Sequence, residues 1–187
     1  MFNQMERELK CLVTKNQYEI IVKSYDFSNP WIQENYYYDT PSNQVKSQGA
    51  AMRIRIIGDK KIFTLKTKKD EVTHYEYEKE IDTDSITDIK DEEVLEWISK
   101  LNLTEPLVQT LSTKTKRQIC RLENAELCAD ENWFGDVIDY EIEYEYTKDH
   151  DGIPIFNEIL SKIGIKYKKN CPSKIARAND YILCNKR

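Results

Sequence analysis

Glu6-Arg7-Glu8-Leu9-Lys10 is a Glu-x-Glu-x-Lys run inside a strand-like segment, residues 5–12. Side chains of a strand alternate between its faces, so Glu6, Glu8 and Lys10 line one face together. Toward the other end, Asp139-Tyr140-Glu141-Ile142-Glu143-Tyr144-Glu145 repeats the pattern with four carboxylates. Between them stand Arg53-Ile54-Arg55 and Lys66-Thr67-Lys68. Acidic rows can hold divalent metals, and basic rows can hold phosphate oxygens. Together they point to a site for a metal-bound polyphosphate.

Working outward, Thr14 and Gln17 fit a capping box that starts a helix running to about Tyr25, with Ile20 and Ile21 on its buried side. Residues 34–39 form a tyrosine-rich strand, closed by the turn chemistry of Asp39-Thr40-Pro41-Ser42-Asn43. Strands are expected at 51–57, 62–68 and 73–81, with Gly58-Asp59-Lys60 as a hairpin loop. Val94, Leu95, Ile98 and Leu101 recur at helical spacing over 91–101. Strands resume at 111–122, 125–130 and 137–147, the last two joined by Trp133-Phe134-Gly135-Asp136. Pro154 and Gly164 frame a helix containing Ile155, Phe156, Ile159, Leu160 and Ile163. Ser173 caps a final helix to about Leu183. The pattern thus holds about eight strands and about four helices without strict β-α alternation, which implies an antiparallel sheet with mostly local connections. Eight strands suffice to close a barrel.

Each strand has one charged and one apolar face. Tyr140, Ile142 and Tyr144 oppose Glu141 and Glu143; Met52, Ile54 and Ile56 oppose Arg53 and Arg55; Phe63 and Leu65 oppose Lys66 and Lys68. Two arrangements fit. Either the apolar faces form the core and the charges are solvated, or the charged faces line a polar tunnel and helices cover the apolar outside. Alternation alone favours the first, because half-solvated antiparallel sheets are common. The sorting of sign favours the second: acids dominate the first and last strands, bases the third and fourth.

The 187 residues suit a single domain, 1–187, with a sizeable core. Hydrophobic residues make up 40% and charged residues 33%, so the chain is globular but highly charged. A net charge of -5 argues against a general nucleic-acid binder. The cysteines (Cys11, Cys120, Cys128, Cys171, Cys184) are odd in number and form no CxxC, which suits reduced thiols in a cytoplasmic protein. The polar start does not read as a signal peptide, and no apolar run reaches the ~20 residues of a membrane helix. His74 and His150, expected at the surface, have no neighbouring nucleophile signature. Tyr36, Tyr37, Tyr38, Trp97 and Trp133 are expected in packing roles.

With these residues in order, the chain resembles the CYTH superfamily, the triphosphate tunnel metalloenzymes, and especially small stand-alone members from Gram-positive bacteria. Glu6-x-Glu8-x-Lys10 resembles the family's N-terminal signature in type, spacing and position. Arg53-x-Arg55 resembles its basic third strand, and Lys66 its fourth-strand lysine. Glu76 and Glu78 fall where the family often has acids. Arg117 resembles its later arginine, Asp130 its metal-site aspartate, and Glu141-x-Glu143 its paired glutamates. Lys174, within Ser173-Lys174-Ile175-Ala176-Arg177-Ala178, matches its C-terminal element. Arg117 shares a strand face with Thr113 and Thr115, while Lys114 and Lys116 point the other way.

The resemblance implies an α+β fold: an eight-stranded antiparallel β-barrel, a tunnel with a charged interior and covering helices. It implies hydrolysis of a triphosphate compound with Mg2+ or Mn2+, inorganic triphosphate being the expected substrate. Lys10, Arg53, Arg55, Lys66, Arg117, Lys174 and Arg177 are the implied phosphate-binding residues. Glu6, Glu8, Asp130, Glu141 and Glu143 are the implied metal ligands, with Glu141 and Glu143 also orienting the attacking water. Glu145 is expected at the tunnel mouth, in solvent. An adenylate cyclase on the same fold, a non-catalytic polyphosphate or nucleotide binder, and a structural domain with a solvated charged sheet are the competing functions. The partner is a small-molecule triphosphate, without membrane or nucleic acid; a homodimer is compatible.

Overall fold

The computed structural model describes residues 4–185. The elements run β1 (Gln4–Val13), α1 (Lys15–Ser24), β2 (Trp31–Asp39), α2 (Gln44–Ser47), β3 (Ala50–Ile57), β4 (Lys60–Lys68) and β5 (Thr73–Ile81). After a 3-10 turn at Ile86–Asp88 come α3 (Glu92–Ser99), β6 (Val108–Arg121), β7 (Ala125–Phe134), β8 (Val137–Tyr146), α4 (Gly152–Ser161) and α5 (Lys174–Asn185). The strands close into an antiparallel barrel in the order β1-β5-β4-β3-β2-β6-β7-β8. The chain divides into two compact units, one built on Gln33–Thr113, the other on Glu6–Ile32 and the chain from Lys114 onward.

In the first unit, β2, β3, β4 and β5 pair in sequence order. The β3–β4 hairpin turns on Gly58, whose φ of 57° lies in the left-handed region that glycine enters without penalty. The apolar faces of this sheet pack beneath α3: Met52, Ile54, Phe63 and Leu65 join Val94, Trp97 and Leu101 in one buried cluster. The Trp97 ring lies 6.3 Å from Phe63 and 5.3 Å from Tyr77. Asp91 caps α3 by accepting from the Val94 N–H at 3.1 Å. Tyr37 and Tyr38 are buried, as packing roles require. Leu95, one of the residues at helical spacing, is 44% exposed; Val94 and Trp97 are the buried positions of this short helix.

In the second unit, β6 pairs with β7, β7 with β8, and β8 with β1. Leu9, Ile142 and Tyr144 are buried, and Tyr144 meets Phe156 of α4 at 5.8 Å. The Thr14–Gln17 capping box forms as expected. Its helix buries Tyr18 and Ile21, not Ile20, because Tyr18 reaches Tyr140 of β8 at 5.1 Å. Likewise α4 buries Phe156, Ile159 and Leu160 but leaves Ile155 40% exposed. Trp133 and Phe134 belong to β7, so only Gly135 and Asp136 make the turn into β8.

In each unit the helices cover the apolar face of the sheet, and the charged face is the inner one. Burial of the charged row follows: Glu8, Asp130, Glu141 and Glu143 are buried, whereas a solvated row would be wet. Cys11, Cys120, Cys128 and Cys171 are free thiols, and the side chain of Cys184 lies outside the described residues. Among the described residues no helix is long and apolar enough to cross a membrane.

Candidate functional site

Register decides which charged side chains meet in the second unit. Arg117 stands opposite Asp130, Asp130 opposite Glu141, and Lys10 opposite Glu143. All point to the inner face, so four strands contribute to one cluster. Arg117 binds Asp130 with two parallel bonds, Nε to Oδ1 at 2.8 Å and Nη2 to Oδ2 at 2.7 Å. This fork geometry suits a guanidinium. Its Nη1 donates to Glu145 at 3.1 Å, and Nη2 also meets Glu143. Arg117 therefore keeps the register read from Thr113 and Thr115, without a bulge.

Two residues of α5 complete the cluster. Lys174 Nζ lies 2.9 Å from Asp130 Oδ2, 3.0 Å from Glu141 Oε1 and 2.6 Å from Glu143 Oε1. One turn later, Arg177 Nε donates to Asp139 Oδ2 at 2.7 Å, and its Nη2 meets Glu141 Oε2. Asp139 is steadied by Asn132, whose Nδ2 donates to it at 3.0 Å and whose Oδ1 accepts from Thr115 at 2.8 Å. On β1, Lys10 Nζ donates to Glu8 at 2.6 Å; Glu6 is half-buried on the same face. Asn170 bridges the Lys10 N–H and the Glu8 carbonyl, fixing the chain before α5 against β1.

Burial and neighbouring charge set the protonation of the cluster. Burial pushes Glu141 up to about 8; the Lys174 ammonium opposes the shift and the Glu143 charge adds to it. Burial acts the same way on Glu143, but Lys174 and Arg117 outweigh it and hold that carboxyl well below its usual range. The two environments thus push adjacent carboxyls in opposite directions, although both oxygens of Glu141 also meet a cation, Lys174 at Oε1 and Arg177 at Oε2. Burial also lifts Glu145 to about 7 against the pull of Arg117. Lys174 and Arg117 are held charged by the surrounding carboxylates even though burial works against the charge.

The first unit presents a basic row. Arg53 Nη2 lies 3.3 Å from Glu76, Arg55 Nε donates to Asn35 Oδ1 at 2.9 Å, and Thr64 donates to Glu78 at 3.3 Å. Lys66 is half-buried and stands opposite Glu76 in the register, while Lys68 is exposed.

Several residues of these networks did not figure among the expected site residues, Asn170 and Thr64 among them. Glu145, expected in solvent, is half-buried and bonded to Arg117, because the β1–β8 register sets it beside Glu8. Asp139 belongs to the alternation already visible in the sequence, but its partner Arg177 is 38 residues away. Asn35, Thr115 and Asn132 are uncharged and carried no signal beyond their strand face. Both histidines are half-buried rather than at the surface. His150 Nδ1 donates to the Lys148 carbonyl at 2.8 Å, leaving Nε2 to accept from the Tyr144 hydroxyl at 2.8 Å.

The family model of the CYTH domain matches residues 4–178, and this chain belongs to that family. It is 28% identical over 186 residues, covering 95% of both chains, to YjbK of Bacillus subtilis, a protein provisionally named a triphosphatase. Among solved structures it is similar to a Bacillus halodurans protein provisionally named an adenylate cyclase: 26% identity, TM-score 0.81, covering 95% of this chain and 98% of the other. HpAC1 from Hippeastrum, provisionally named an adenylyl cyclase and described as having a dominant triphosphatase activity, shares the fold at TM-score 0.78. It is 22% identical and covers 95% of each chain.

Proposed function

We propose that the chain, acting as one CYTH-like domain, hydrolyses a triphosphate compound with Mg2+ or Mn2+, inorganic triphosphate being the first substrate to test. The observation that carries this reading is the buried carboxylate set Asp130, Glu141 and Glu143 on the inner face of the barrel. Burying three carboxylates is costly unless cations meet them, and such a set persists where charge has a use. The kinship with a protein provisionally named a triphosphatase supports the same reading.

The donor chemistry fits a hard divalent ion, since Glu6, Glu8, Asp130, Glu141 and Glu143 offer only carboxylate oxygens. A bound ion would neutralise phosphate charge and lower the pKa of a bound water. Lys10, Arg53, Arg55, Lys66 and Lys174 hold phosphate oxygens, the arginines in bidentate fashion. Arg117 and Arg177 act differently from the sequence expectation. Most of their donors are already taken by Asp130, Glu143 and Glu145, or by Asp139 and Glu141, so they position carboxylates. Glu141 and Glu143 orient the attacking water, Glu143 held ionised by Lys174 and Arg117. Catalysis of this kind is mainly positioning and electrostatic stabilisation.

Phosphate release should be measured from inorganic triphosphate, ATP and thiamine triphosphate, each with Mg2+ and with Mn2+, beside a Glu6→Ala control. Metal-dependent release that the control loses is the expected result. No release from any substrate overturns the reading. Kinship with a solved structure provisionally named an adenylate cyclase favours one second reading, so ATP samples should also be assayed for cyclic AMP.

A further inference from the structure

Three oxygens from three carboxylates surround the Lys174 ammonium at 2.6–3.0 Å. That is the kind of donor set a hard divalent ion takes, and an ammonium with its three hydrogens satisfies it equally. Asp130 Oδ2 already serves both Lys174 and Arg117, so an oxygen can be shared, but an ion and the ammonium cannot share the position at the centre of the set. Resting on the reading of Asp130, Glu141 and Glu143 as metal ligands, we infer that Lys174 is the built-in counter-ion of the metal site. Its ammonium holds the carboxylates together in the metal-free chain, and it would be released from them to meet phosphate where a divalent ion is bound.

The rest of α5 is arranged to stay while Lys174 moves. Arg177 is 4% exposed and donates to Asp139 at 2.7 Å and to the Pro172 carbonyl. Asp139 lies outside the metal set and is fixed through Asn132 and Thr115. The helix is also held where Tyr181 packs on Phe134 at 5.4 Å, and Arg177 itself meets Glu141 of the metal set through its planar fork. Lys174 is a point charge on a flexible four-carbon stem, so it can leave by side-chain rotation while these contacts keep the helix docked. Asp139 is then a positioning residue, acting on the site through Arg177.

The test is Mn2+ binding to the metal-stripped chain, without substrate, read from the paramagnetic resonance signal of free Mn2+. Lys174→Met should bind Mn2+ about tenfold more tightly than the wild type, since one positive charge leaves the carboxylates. Lys174→Arg keeps the charge and should show no gain. Unchanged or weaker binding by Lys174→Met, or no binding by any form, overturns the inference. A measurement on the wild type covers the case in which the variants do not fold. Modification of Lys174 by an amine-selective reagent, located by mass spectrometry, should rise when Mg2+ is added; equal or lower modification overturns the inference. Neither readout uses hydrolysis. A chain that passes both yet releases no phosphate loses only the triphosphatase reading, and an active chain that fails them loses only the counter-ion.

Discussion

In the unit built on Gln33–Thr113, Arg53 and Glu76 keep 18% and 13% of their side-chain surface in solvent and meet at 3.3 Å. In the other unit, Asp130 and Glu141 are wholly buried, and Arg117 and Lys174 meet the carboxylates at 2.6–3.1 Å, with Arg117 and Glu143 closer still. Both sheets present a charged inner row, but in one Arg53 and Glu76 are half-buried and meet at 3.3 Å, and in the other wholly buried carboxylates meet several cations at shorter range. Electrostatic energy grows as water is excluded, so the same substitution should mean different things in the two units.

Stability gives the largest contrast. Arg117→Met leaves Asp130, Glu143 and Glu145 without their guanidinium and should cost about 3–5 kcal/mol in urea unfolding. Arg53→Met, which loses the single 3.3 Å contact with Glu76, should cost less, about 1.5 kcal/mol, by the same measurement. Equal losses would break the comparison.

Activity should invert that order of consequence for the basic row. Arg53→Ala and Arg55→Ala should each lower kcat/KM for inorganic triphosphate by about 10- to 100-fold, the worth of a charge-assisted bond, while the chain stays folded. Unchanged kinetics in both would remove phosphate binding from the first unit.

The pH dependence of stability sharpens the picture of the acidic unit. Glu141 titrates at about 8 and Glu145 at about 7 in the folded chain, against 4.5 ordinarily. The folded state thus holds more protons than the unfolded one between these limits, and stability falls as pH rises through that window. Glu143 has the opposite sign: held well below 4.5, it contributes stability above that value and loses it as pH falls further. The metal-stripped chain should therefore melt at a higher temperature near pH ~5.5 than near pH ~8.5. Glu141→Gln should reduce the difference and leave the Glu145 share; an undiminished slope would place the titration elsewhere.

The smallest effect should be the same in both units. Thr14→Ala and Asp91→Ala each remove a helix cap and should cost about 1 kcal/mol in thermal or urea unfolding. A much larger loss for Asp91→Ala would reveal that its contact with Lys79 at 2.9 Å also matters.

The sequence by itself determined the features that depend on near neighbours. Strand alternation is a property of the backbone, so Glu6, Glu8 and Lys10 share a face wherever β1 lies, as do Asp139, Glu141, Glu143 and Glu145. Caps form within four residues, and Thr14–Gln17 and Asp91–Val94 were both fixed locally. The ordered set of charged residues was enough to indicate the family. Tertiary structure decided which of the two faces is the inner one and who meets whom across it. Arg117 reaches Glu143 because β7 sets Asp130 between them, a matter of register across three strands. Arg177 docks on Asp139 because α5 packs against the barrel after a long return of the chain. Leu95 and Ile155 had the right spacing for burial but lost their places to the Trp97 and Phe156 sides of their helices. Periodicity states which residues lie together on an element, whereas only packing chooses the face that is covered and the charge that answers each buried carboxylate.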